Sequence, residues 1–171
     1  MAVIGWGKPR IFYKSLSEGG KWQEFATPAE GTTSLATTKG DKTEAKVEGG
    51  ANEDVKYNKN TYALTFNLRA AKGRKRPVED VDGIITENYA IVLQPEDPNV
   101  PGFAMEKTTA SVEDTYSAAD GGAWAYTFDA LIPEVTQMTT IKQVQWGVIE
   151  VTGTGDEMEI TLDKTPVAKA K

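Results

Sequence analysis

Apolar residues recur at every second position along most of this chain. Tyr62, Leu64, Phe66 and Leu68 alternate with Thr61, Ala63, Thr65, Asn67 and Arg69, the pattern of a half-buried strand over 61–69. Tyr89, Ile91 and Leu93 alternate within 87–94, but Ala90 and Val92 make the opposite face apolar too. A strand apolar on both faces belongs at the centre of a structure. Trp124, Tyr126 and Phe128 alternate in 123–131, Val144, Trp146 and Val148 in 141–151, and Met158, Ile160 and Leu162 form a last strand. Near the start, Ile11 and Tyr13 are expected to pair with the segment carrying Trp22 and Phe25, across a turn at Glu18-Gly19-Gly20.

Two further glycine turns punctuate the pattern. Asp120-Gly121-Gly122 predicts a hairpin joining 110–116 to 123–131, and Gly153-Thr154-Gly155-Asp156 predicts another. Strands at intervals of roughly 8–12 residues, separated by such turns, indicate an all-β fold: two antiparallel sheets in a β-sandwich or barrel. One short helix is expected over 77–85. Pro77 suits its first turn, Glu79, Asp80 and Asp82 suit its positive end, and Val78, Val81, Ile84 and Ile85 give an apolar face that Gly83 weakens. Residues 95–102 read as a proline-rich turn cluster and residues 164–171 as a loose basic tail. No domain boundary or tandem repeat interrupts residues 1–171, so a single domain is expected.

The stretch 27–69 departs from this regularity. It runs through a Gly/Thr/Ser-rich segment, a charged strand, the Gly49-Gly50 turn and then the strand 61–69. Connections beyond about 12–15 residues are uncommon in compact domains and tend to be functional. Leu35, Ala36, Val47, Val55 and Tyr57 interrupt the polar run, so its composition is not that of a disordered segment. An arm at about 30–53 that is polar yet β-prone suits ordering by a neighbouring subunit. Its candidate contact residues are Leu35, Lys39, Asp41, Lys42, Glu44, Lys46 and Glu48. Trp6, flanked by Gly5 and Gly7, has no local pattern that would bury it and is a further candidate for contact between subunits. So is the end of the basic loop 72–76, with Arg74, Lys75 and Arg76.

The chain has 171 residues, enough for a core without covalent staples. Its 25 acidic and 19 basic side chains leave a net charge of −6, which disfavours tight non-specific binding of DNA or anionic membrane. There is no Cys and no His. Thiolate chemistry and disulfides are thereby excluded, along with the commonest general base and metal ligand. Glu96-Asp97 and Glu113-Asp114 are adjacent carboxylates, which on a strand point to opposite faces and form no shared acid–base site. Asp80 and Asp82 lack the calcium-loop spacing. Gly5-Trp6-Gly7 and Gly49-Gly50 lack phosphate-loop spacing and read as turns. No catalytic residue, metal site or cofactor is therefore expected. The apolar run at the N-terminus is too short for a signal peptide, no segment nears the roughly 20 apolar residues of a membrane span, and folding in a cytoplasm is expected.

Three segments together resemble the phage major tail tube proteins. They are Glu30-Gly31-Thr32-Thr33-Ser34-Leu35 through Lys46-Val47-Glu48-Gly49-Gly50, the strand Asn60-Thr61-Tyr62-Ala63-Leu64-Thr65-Phe66, and residues 80–93. The resemblance covers about half the chain and rests on no single motif. It implies two roughly orthogonal β-sheets flanked by a helix, hexameric rings whose inner sheets join as one barrel, and stacking of rings through the extended loop. It further implies a virion tail assembled in the bacterial host cytoplasm and non-adhesive passage of DNA through the lumen. Sheath, tape measure or tail terminator proteins would be additional partners. Related injection tubes share that fold. A second reading is a secreted or surface β-sandwich binding module, an adhesin or carbohydrate-binding domain, which would display aromatic residues on one face and carry an export signal. A carboxylate enzyme is a third.

Overall fold

The computed structural model describes residues 2–17, 19–134 and 141–168. Thirteen strands run in chain order: β1 (Arg10–Ser15), β2 (Gln23–Glu24), β3 (Ser34–Thr38), β4 (Lys42–Lys46), β5 (Asn52–Tyr57), β6 (Thr61–Arg69), β7 (Ile84–Gln94), β8 (Gly102–Ser117), β9 (Gly121–Ala130), β10 (Gln145–Gly147), β11 (Ile149–Thr152), β12 (Glu159–Leu162) and β13 (Thr165–Pro166). The fold is all-β with antiparallel sheets packed on one another. The main sheet has the order β2-β1-β7-β8-β9-β6-β3, with β10 on the same side of β8 as β9. A small sheet β11-β12-β13 and a separate hairpin β4-β5 complete it.

Alternation sorts the side chains into two cores. The larger lies on one face of the main sheet and gathers Phe66, Leu64, Leu68, Tyr126, Phe128, Ile91 and Met105. Its rings interlock: Phe66 and Phe128 stack with centroids 5.9 Å apart, and Phe25 meets Phe66 edge-on at 5.0 Å. The smaller core lies on the other face, where β11–β13 cover β1, β7 and the start of β8. Phe12, Trp22, Ala90, Val92 and Ala104 pack there against Ile149, Ile160, Leu162 and Val167. The expectation of a central strand from Ala90-Ile91-Val92 holds, since all three are fully buried, Ile91 facing one core and its neighbours the other. The amide of Gln94 donates to the carbonyl of Ile149 at 2.9 Å and ties the two sheets together. Strand β8 is the hinge of the design: its 16 residues pair with β7, β9 and β10.

Several expectations need correction. No helix forms over 77–85. Asp82 and Gly83 take positive φ of 50° and 85°, and Val81 and Ile84 exchange reciprocal backbone bonds of 3.0 Å. This is a two-residue Asp-Gly hairpin turn, whose φ signs a right-handed helix excludes. The one helical turn among the described residues is a 3-10 turn at Gly155–Glu157. The strand expected over 141–151 is broken into β10 and β11 at Val148, and Trp146 on it is 61% exposed instead of contributing to the core. The tail at 164–171 is not loose where it is described: β13 pairs with β12, and Val167 is 1% exposed. Residues 169–171, and Glu18 of the expected first turn, lie outside the described residues. β1 does pair with β2, Tyr13 opposite Gln23.

Candidate assembly surface

The stretch 30–53 is not one arm. Its first part belongs to the body: β3 pairs with β6 in the main sheet, Leu35 sits opposite Leu64, and Leu35 packs against the larger core. Thr32 Oγ1 accepts from the Asn67 amide at 3.2 Å and locks that entrance. What stands apart is the hairpin β4-β5, which extends past residue 53 to Tyr57. At its base the Asn58 amide donates to the Asp41 carbonyl at 2.9 Å, and Gly40 N donates to Asn60 Oδ1 at 3.1 Å. Beyond that base its ladder is internal, with a bulge between Ala45 and Lys46.

Both faces of the hairpin are mostly polar, with Val55 half-buried and Tyr57 exposed. Lys42, Glu44 and Lys46 share one face with Val55 and Tyr57, while Thr43, Ala45, Asp54 and Lys56 occupy the other. Glu44 is ion-paired with Lys42, and also with Lys46 at 3.6 Å, so the charges are settled within the strand. Lys39 lies over the Tyr57 ring, 5.7 Å from its centroid. The tip closes through Gly49 and Gly50, with φ of 95° and 88°, and Glu48 is exposed beside them. An isolated two-stranded hairpin is marginal in water. No residue of β4 or β5 joins either core, so the hairpin gains little from the domain's packing.

The basic loop divides. Lys75 is exposed, and Arg74 donates to the Arg69 carbonyl at 2.6 Å. Arg76 turns inward instead. Its guanidinium bonds Asp80 and Asp114 at once and lies 5.4 Å from the Trp124 ring centroid. The Asp80 side chain is 5% exposed and accepts the Gly83 amide at 2.8 Å. That backbone bond first, and then the guanidinium, hold its carboxyl below the usual range. Arg76 is thus a clamp that fixes the Asp82-Gly83 turn over the larger core. Asp114 reaches it because it shares the core-side face of β8 with Val112, whereas Glu113 points the other way.

Trp6 is 75% exposed, and Val3 and Ile4 beside it are 71% and 63% exposed. Their segment lies against the turn at 95–100, where Lys8 N donates to Glu96 Oε2 at 3.3 Å and Gly5 approaches Val100 and Pro95.

Sequence reasoning missed a cleft of about 310 Å³ at the opposite end of β1. Trp22, Met158, Ile160 and Val167 supply apolar wall, and Asp156, Glu157 and Glu159 lie around it. Lys14, only 9% exposed, sits there and donates to the Ala168 carbonyl at 2.6 Å. Burial lowers its ammonium's pKa, partly opposed by Glu159. Nothing local in the sequence marks Lys14 as buried. Its position in register with Phe12 on a two-faced strand was the available signal.

Among the described residues no group of three acidic side chains is placed to hold a metal ion, and no helix is long and apolar enough to cross a membrane. No protein-family model matches the chain, and no curated protein matches it.

Proposed function

We propose that this chain is a structural subunit that polymerises as stacked hexameric rings into a tube of the phage tail or injection type, through which DNA passes. The observation that carries the reading is the β4-β5 hairpin. It is mostly polar on both faces, internally ion-paired and, among the described residues, hydrogen-bonded to the body only near its base, which suits a role in contacts outside the domain. Two more features support assembly. β3 is an edge strand with no second neighbour among the described residues, and an unpaired edge in a β-protein invites a partner strand. The outer face of β6, β9 and the second half of β8 carries Thr65, Thr127, Ser111, Ala125, Glu113 and Asp129, mostly small or acidic side chains that would grip a polyanion weakly, with Arg69 as a cation at the end of β6 that donates to the Asp120 carbonyl at 3.2 Å. The exposed aromatics Trp6, Tyr57, Tyr116 and Trp146 are spread over separate elements, which disfavours a sugar-stacking platform.

The test replaces residues 42–57 with a short glycine turn across the Asp41–Asn58 base. The expected result is a folded domain that forms no tubes under negative-stain microscopy, while the intact chain does. Tubes from the shortened variant, or an intact chain that stays monomeric at every concentration, would sink the proposal.

A further inference from the structure

We infer that the N-terminal segment of one copy, with Trp6 as its anchor, docks in the cleft beside Trp22 of a second copy. The two sites fit in chemistry. The segment exposes Val3, Ile4 and Trp6 within four positions, then presents Lys8 and no acidic residue before β1. Three large apolar side chains so close together at the surface mark an interaction site. The cleft offers an apolar wall of Trp22, Met158 and Ile160 beside the carboxylates of Glu157 and Glu159, while Asp156 is already paired with Lys21 at 3.3 Å and Lys14 is turned to the Ala168 carbonyl, so the rim keeps a small acidic excess for Lys8. Its volume of about 310 Å³ suits an indole ring, and a buried aromatic anchor ringed by polar contacts is the usual centre of a strong interface.

Geometry makes the contact intermolecular. Trp6 precedes β1 at its Arg10 end, where the segment is held on the 95–100 turn. The cleft lies at the Lys14 end, roughly 13 Å further along the strand at about 3.3 Å per residue, with the chain running the other way from Trp6. Donor and acceptor therefore sit at opposite ends of one strand. A contact between unlike surfaces is heterologous and propagates into a ring or a filament. The inference stands apart from the tube proposal, because any head-to-tail association of this chain would use it.

The chain has no cysteine, so engineered cross-links report without background. Lys8→Cys and Glu157→Cys, both at exposed positions, are made as separate variants, one with a size tag, and mixed under mild oxidation. The expected product is a disulfide-linked heterodimer well above the share that random collision gives. Adding Trp6→Ala to the Lys8→Cys chain should return it to that share. In the cysteine-free protein, Lys8→Glu and Glu157→Lys should each weaken self-association in sedimentation, and the pair together should restore it. A heterodimer at the random share with Trp6 intact, or one that Trp6→Ala leaves unchanged, would overturn the inference. The readout is pairwise, so its failure is distinct from a failure to form tubes.

Discussion

The two halves of the main sheet solve the burial problem differently. Around β1, β7 and the start of β8, both faces are covered, and adjacent residues such as Ile91 and Val92 enter separate cores. Across β6, β9 and the end of β8, one face is covered and the other carries Thr, Ser, Ala and carboxylates, with Asn67 and Arg69 toward one end. The first half is read from continuous apolar runs, the second from strict alternation. The difference separates residues that hold the fold from residues free to serve a surface.

Single substitutions should sharpen that contrast. Phe66→Ala is expected to cost about 3–5 kcal/mol in urea unfolding, and Thr65→Ala beside it under about 0.5 kcal/mol. In β7, Ile91→Ala should cost about 2–5 kcal/mol and Val92→Ala about 2 kcal/mol, so neighbours both matter there. If Thr65→Ala proves as costly as Val92→Ala, the outer face of β6 is not bare and the contrast fails.

The clamp is the next largest effect. Arg76→Ala should cost about 2–3 kcal/mol, because it strands the buried Asp80 carboxylate, while Arg74→Ala should change stability little. The pH dependence has a definite sign. The folded Asp80 pKa lies below its ordinary value of 3.8, so its contribution is full above that value and fades as the pH falls through the folded pKa. An acid melt of Arg76→Ala that parallels the parent would contradict this.

A smaller effect appears in alkali. Burial first of all pushes the Tyr126 and Tyr89 hydroxyls from 10.0 up to about 12. Their neutral forms favour the fold, so stability is retained below pH 10 and lost as the pH rises toward about 12. Lys14 acts in the opposite sense: its lowered pKa penalises the folded charged form, and that penalty lifts as the pH passes it. Ultraviolet titration of phenolate alongside circular dichroism should show both tyrosines ionising with unfolding, and Tyr126→Phe should move the alkaline midpoint upward. The smallest effect belongs to the hairpin. Glu44→Ala breaks two exposed ion pairs and should shift stability by less than about 0.5 kcal/mol.

Where one face is buried and the other wet, side chains declared their strands, as with Leu64, Phe66 and Leu68 or Tyr126 and Phe128. The two-faced β7 was legible from Ala90 and Val92. Asp82-Gly83 misled because Val78, Val81, Ile84 and Ile85 mimic a helical face. The Asp-Gly pair is itself a strong hairpin signal, and the positive φ it allows decided the outcome. The body-bound half of the arm was hidden because Leu35 is its single large anchor and β6, its partner, lies about thirty residues away. Arg76 read as part of a basic loop, since Asp114 and Trp124 meet it only through the β8–β9 pairing. The cleft was invisible for the same reason: Lys14 and Glu157 stand more than 140 positions apart in the sequence.

That last separation has a consequence for synthesis on the ribosome. Phe12 emerges early but is covered by Ile160, Leu162 and Val167, which emerge about 150 residues later. β1 must first wait for β7, and the face of both strands then stays wet until β11–β13 have been made. Contacts so distant in sequence slow folding, and a nascent sheet with an apolar face exposes it to chaperones and to its own kind. Strands β11–β13 therefore act as a cover added late: a chain cut before them keeps an apolar face exposed that the full fold hides.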